Sequence, residues 1–142
     1  MDLERRAPLE VPPFGGSHIL WLEHSLACDQ LLNKRLLPDA VEVGNLVFTS
    51  GMTGEPGDTE TQIRKTIEKL KAALEAHGSS LENVIKGNVY LTDLNDRERY
   101  LNRVWKETFG ERSPARTCVQ AGLAPGIAVE IEFIAVVKGK KD

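Results

Sequence analysis

From residue 40 onward the apolar positions change period several times, and each change marks an element. AVEV (40–43) and LVFTS (46–50) are β-rich runs separated by Gly44-Asn45, a tight-turn pair, and together they predict a hairpin. GMTGEPGD (51–58) carries the glycines and proline of a loop. Thr59 is expected to open a helix, with Gln62 three residues on as its capping-box partner. Ile63, Ile67, Leu70, Leu74 and His77 then recur at helical spacing, and Gly78 ends the run. VIKGNVYL (84–91) reads as a strand and TDLND as a turn. Asp96 is placed to cap a second helix through Phe109, with Tyr100 or Leu101, Val104, Trp105 and Thr108 on its buried side. Strands at 115–121 and 128–137 follow, joined by GLAPGI. The predicted order is β-β-α-β-α-β-β, a mixed α+β domain over residues 38–142 with both helices on one face of the sheet.

Residues 1–37 fit this pattern less well and are read as an appended segment. Ile19, Leu22, Leu26 and Leu31 could line a helix there, but Leu20, Trp21 and Leu32 spoil a clean face. In the last strand Val129, Ile131, Phe133, Ala135 and Val137 point one way, toward the helices. Glu130, Glu132, Ile134 and Val136 point the other way, which leaves apolar surface in water unless a second subunit covers it. A homo-oligomer packed through that face is therefore expected.

Composition narrows the function classes. With 142 residues, 41% hydrophobic and 27% charged, the chain can bury a core without disulfides or metal. A net charge of −3 weighs against a nucleic-acid-gripping surface. Cys28 and Cys118 form no C-x-x-C pair, and His18, His24 and His77 lack metal-ligand spacing, so no metal site is expected. His77, beside Gly78 at a helix end, is accounted for by the helix dipole. No apolar run approaches a membrane span and no leader pattern opens the chain, so no membrane partner and a cytoplasmic location are expected.

The chemistry concentrates at SPARTCVQ (113–120), where Arg116 sits in what otherwise reads as a strand. A guanidinium there needs an anion to meet it. If strand 115–121 pairs with the last strand as an antiparallel hairpin, Arg116 and Cys118 come near Glu130 and Glu132 on one polar strip. Two readings stay open on the residues alone. One is a structural ion pair at a subunit interface. The other is a small anion site, with Arg116 clamping a carboxylate and a glutamate handling protons or water. Cys118, with no histidine placed to activate it, reads as an inert thiol.

The segments VGNLVFTSGMTG, QIRKTIEKLKAALEAHGSSLENVIKGNVYLTDLND and SPARTCVQAGLAPGIAVEIEFIAV, in that order and spacing, together with the intervening helix bearing Asn102, resemble the Rid (YjgF/YER057c/UK114-type) family of 2-imino/enamine deaminases. The resemblance covers roughly the last hundred residues and implies a chorismate-mutase-like fold, a homotrimer and sites in the clefts between subunits. It implies hydrolysis of reactive 2-imino acids or enamines, such as 2-aminoacrylate or 2-iminobutanoate, to 2-oxo acids and ammonia, without a cofactor. By the same resemblance Arg116 binds the substrate carboxylate, Glu130 positions the attacking water, and Ser50, Asn102 and Cys118 line the pocket.

Two departures accompany the match. Where the family carries a glycine-proline-tyrosine element before the first hairpin, this chain has RLLPDA, and the common SGQ is SGM, with Met52 in place of glutamine. The alternative function is a binding module for 2-oxo acids that does not turn them over. An RNA-directed or chaperone-like role is less well supported by the composition.

Overall fold

The computed structural model describes residues 19–20 and 36–137. Its strands are β1 (Ile19–Leu20), β2 (Ala40–Val43), β3 (Leu46–Thr49), β4 (Met52–Thr53), β5 (Val84–Leu91), β6 (Ala115–Gln120) and β7 (Val129–Val136). Helix α1 spans Thr59–Ala76, and α2 spans Asn102–Phe109, preceded by a wider π-helical stretch, Arg97–Leu101. One sheet runs in the order β1-β2-β3-β7-β5-β6, with β4 also paired to β7.

The position of both helices follows from the connections. β3 and β5 each run antiparallel to β7, and are therefore parallel to each other with α1 as their crossover. β5 and β6 are parallel neighbours with α2 as theirs. Both crossovers step the same way across the sheet, so the right-handed preference of β-α-β units puts both helices on the same face. The core fills that side: Ile63, Leu70 and Leu74 of α1 and Val104 and Trp105 of α2 pack over Val129, Ile131, Phe133 and Ala135 of β7. Glu130, Glu132, Ile134 and Val136 alternate onto the other face and are half-buried. Phe48, 40% exposed, lies opposite Ile134 on that face, and Val41 is paired with Phe48.

Several expectations are corrected. β6 does not pair with β7; β5 lies between them, joined to β7 over Val84–Leu91 and to β6 over Lys86–Leu91. The seven-residue antiparallel register of β5 with β7 takes the central place, and β6, polar at Arg116, Thr117 and Gln120, becomes the sheet edge. The loop read over residues 51–58 contains a short strand, because β7 outlasts β3 and its free stretch at Glu130 and Ile131 takes up Thr53 and Met52. At the break, the Thr49 hydroxyl accepts the Phe133 N–H (2.8 Å). Ile19 and Leu20, read as candidate helix, form a strand antiparallel to β2; the rest of that reading, including Leu22, Leu26 and Leu31, lies outside the described residues.

The helix ends also differ from expectation. The N-cap of α1 is Asp58, whose carboxylate accepts the Thr61 N–H (2.8 Å), and Thr59 is the first helical residue. Gln62 does not close a capping box. Its amide donates to the carbonyls of Gly57 (2.8 Å) and Gly126 (3.0 Å) and accepts the Ala128 N–H (2.8 Å), tying α1 to the loop that enters β7. Asp96 precedes the π-helical turn with helical dihedrals and makes no side-chain cap bond; its carboxylate accepts from the Thr59 hydroxyl (3.3 Å). His77 is the C-cap of α1 and is buried, with Nδ1 3.1 Å from the Glu42 carboxylate, so a specific partner on β2 adds to the dipole.

Candidate functional site

Arg116 lies on edge strand β6 and is only half-buried. Its partners across β5 and β7 are Gly87 and Phe133, so its side chain leaves the sheet on the helix side. There the guanidinium meets α2: Nη2 donates to Asn102 Oδ1 (2.8 Å), and the guanidinium carbon stands 5.1 Å from the centre of the Trp105 ring. Gly87 makes this possible. A Cβ at residue 87 would lie 2.6 Å from Trp105 Cη2, so only glycine lets the indole settle onto the strand beside Arg116. The ring is fixed further by Nε1 donating to the Ser113 hydroxyl (2.9 Å) and by Phe109 and Phe133, with ring centres at 4.8 and 5.9 Å.

These residues line a cleft of about 400 Å³ bounded by Asn102, Trp105, Lys106, Gly110, Ser113 and Arg116. Among the described residues no carboxylate pairs with Arg116; its recorded partners are a neutral amide and an aromatic face. A half-buried guanidinium held from behind and left without a counter-charge is preorganised for an anion from outside, and its planar fork suits a carboxylate. Cys118 lies two residues on along the same face of β6. Burial pushes its thiol up, against the opposing pull of Arg116 and Arg97, which fits a protonated thiol better than a nucleophile, and Cys118 is not among the residues that bound the cleft.

Glu130 is not with them. Tyr90 of β5 faces it across the ladder, Val119 of β6 lies beyond, and all three sit on the face opposite Arg116. The single polar strip expected for Arg116, Cys118, Glu130 and Glu132 is thus split between the two faces of the sheet. On the open face Tyr90 donates its hydroxyl to Glu132 (2.6 Å), and that bond, with burial and the nearby Glu130 charge, raises the phenol above its ordinary value. Gly51 lies against Glu130: a Cβ there would be 3.0 Å from the Glu130 carboxyl carbon. Ser50, adjacent in sequence, donates its hydroxyl to the Pro38 carbonyl (2.6 Å) and its N–H to the Asp39 carbonyl (2.9 Å). The residues singled out from the sequence therefore form two groups, Arg116 with Asn102 and Cys118, and Glu130 with the Ser50-Gly51 turn. Trp105 was expected only as core; Gly87, an isolated glycine inside a strand, is the sequence signal that a bulky group approaches there.

Comparison with known proteins agrees with this architecture. The chain belongs to the Rid family: residues 34–137 match the family model described as Endoribonuclease L-PSP. A RutC family protein of Pyrococcus abyssi is 43% identical over 105 residues, covering 68% of this chain and 82% of the relative. TdcF of Escherichia coli, which bears the name of a reactive intermediate deaminase, is 42% identical over 107 residues, with 68% and 82% covered. The crystal structure of RidA from an Antarctic Psychrobacter superposes with a TM-score of 0.69 at 39% identity, covering 72% of this chain and 89% of that one. The fold is accordingly the chorismate-mutase-like one, two helices on one face of a mixed sheet.

Proposed function

We propose that the protein hydrolyses 2-imino acids and their enamine tautomers, such as 2-iminobutanoate and 2-aminoacrylate, to 2-oxo acids and ammonia. The observation that carries this reading is Arg116, held by Asn102 and Trp105 at a cleft and lacking a carboxylate partner among the described residues. In the reading, Arg116 takes the substrate carboxylate through two parallel hydrogen bonds. A protonated imine is already electrophilic, so what the site must add is orientation and water. Glu130 accepts a proton as water attacks C2; the nitrogen of the tetrahedral adduct is protonated, the C–N bond breaks, and ammonia leaves with the 2-oxo acid behind.

Because Arg116 and Glu130 lie on opposite faces of one sheet, the reading also requires a second copy. The open face, with Phe48, Ile134 and Val136, supports a subunit contact there, and a homotrimer closes such contacts symmetrically. Each site then combines Arg116, Asn102 and Cys118 of one copy with Glu130 and the Ser50 turn of the next.

The test generates the imine in place with an amino-acid oxidase and traps what remains with semicarbazide. Wild type is expected to suppress the adduct, and Arg116→Ala and Glu130→Gln are each expected to fail. Co-refolding the two inactive variants in equal amounts should restore about one quarter of the sites, since random assembly pairs the intact halves at that frequency. No recovery would place both groups in one copy and overturn the shared site. A wild type that binds 2-oxo acids saturably and leaves every imine untouched would make the protein a carboxylate-binding module instead.

A further inference from the structure

We infer that Lys106 anchors a second anionic group, so that the preferred substrates are 2-imino dicarboxylic acids, those with an acidic side chain. The inference rests on the reading of the Arg116 cleft given above. Lys106 lines that cleft together with Arg116 and Asn102. Asn102 and Lys106 are four residues apart on α2, so they stand one above the other on the same helix face, about 6 Å apart along the axis. Asn102 holds the Arg116 guanidinium (2.8 Å), so Lys106 stands about one helical turn beyond the residue that fixes the arginine.

The charge pattern on α2 sets Lys106 apart. Arg103, on the same helix, is paired with Glu60 of α1, and Glu107 is taken by Arg64 (2.9 Å). No carboxylate among the described residues pairs with Lys106 or with Arg116. A lysine in the last helical turn complements the dipole wherever its side chain points, and that alone would explain its presence. It would not explain why the two unpaired cations share one cleft. The space beside them is open: a Cβ at Gly110, on the cleft wall, would meet nothing within 4 Å. A monocarboxylate would neutralise Arg116 and leave Lys106 unmatched, whereas a diacid satisfies both, with its second carboxylate lying toward Lys106 and the Ser113 end of the cleft.

The decisive quantity is the ratio of kcat/KM for the imine of aspartate to that for the imine of alanine, each made in place by an amino-acid oxidase. Wild type is expected to favour the aspartate-derived imine. Lys106→Ala should lower the ratio roughly five- to thirtyfold, and Lys106→Glu further, with the difference shrinking as salt rises. Lys71→Ala removes the same charge from the solvent face of α1 and should leave the ratio within about twofold. A wild type that favours the alanine imine, or a ratio unmoved in both Lys106 variants, overturns the inference. If wild type hydrolyses neither imine, the deaminase reading is what fails, and calorimetric binding of oxaloacetate against pyruvate then decides the role of Lys106. A preference for oxaloacetate that Lys106→Ala abolishes supports it, and equal binding overturns it.

Discussion

Gly87→Ala probes the contact on which the Arg116 cleft is built. The added methyl would stand 2.6 Å from Trp105 Cη2, 3.1 Å from Cζ2 and 3.2 Å from Phe133 Cε1. Carbon atoms pack comfortably at about 3.5–4.0 Å, so the indole must retreat by roughly 1 Å. It has little room, because Trp105 is 5% exposed and wedged against Phe109 and Phe133. Overpacking of this kind costs about 1–3 kcal/mol, which for a domain of this size lowers the melting temperature by roughly 4–12 °C. The guanidinium stacked on the ring moves with it, and if Arg116 holds the substrate as proposed, a displacement near 1 Å can cost on the order of a hundredfold in rate. Thermal unfolding and tryptophan emission in a Trp21→Phe background report the ring, and the imine-trapping assay reports the anchor. Replacing Trp105 by Phe in the Gly87→Ala chain removes the clashing atoms and should recover part of the loss, giving a coupling energy above about 1 kcal/mol. Gly87→Ala with unchanged emission and a melting temperature within about 1 °C of wild type would refute the argument that this glycine sets the position of the arginine.

Two titrations test the electrostatics of the two faces. The Tyr90 phenol, held neutral by its bond to Glu132, should ionise above its ordinary value of about 10 in a phenolate-absorbance titration, and Glu132→Gln should return it toward that value. A raised folded-state value means stability present below the unfolded phenol pKa and lost as pH rises through the folded one, so the alkaline decline should be shallower in Tyr90→Phe. A midpoint unmoved by Glu132→Gln would disprove the bond's role. In a Cys28→Ser background the alkylation rate of Cys118 should rise only at a pH above that of an ordinary thiol, because burial outweighs the nearby arginines. Arg116→Ala should move that midpoint higher still, and a downward shift would contradict the assignment.

Much of the fold was legible because its signals are local. Ile63, Ile67, Leu70 and Leu74 write a helix face into the sequence, and the alternation from Val129 to Val136 writes a strand with one buried face. Strand order is not local. Two consecutive strands joined by a short glycine-containing linker look like a hairpin, yet β7 gains more by pairing with both β3 and β5 than by following β6. In the structure Ala115, Thr117 and Val119 are exposed, in keeping with the place of β6 at the edge, but their residue types alone do not announce it. That single misplacement carried Glu130 to the wrong side of Arg116, because a shift in pairing partner decides which face a side chain shares. Asp58 and Thr59 are both good caps, and only the backbone chooses between them. Trp105 carries the pattern of a core residue and is one; its second role, as the surface on which Arg116 rests, depends on a glycine eighteen positions earlier in the chain.

The two-residue strand β1 bears on a different property, the tendency to polymerise. It pairs with Glu42 and Val43, covering half of the outermost full strand at one margin of the sheet, while β6 forms the other margin. Indefinite growth by strand addition needs a receptive margin at each end of every molecule. With one end partly occupied by the chain's own backbone, molecules that met through β6 would be capped after two, so the sheet resists templating fibres.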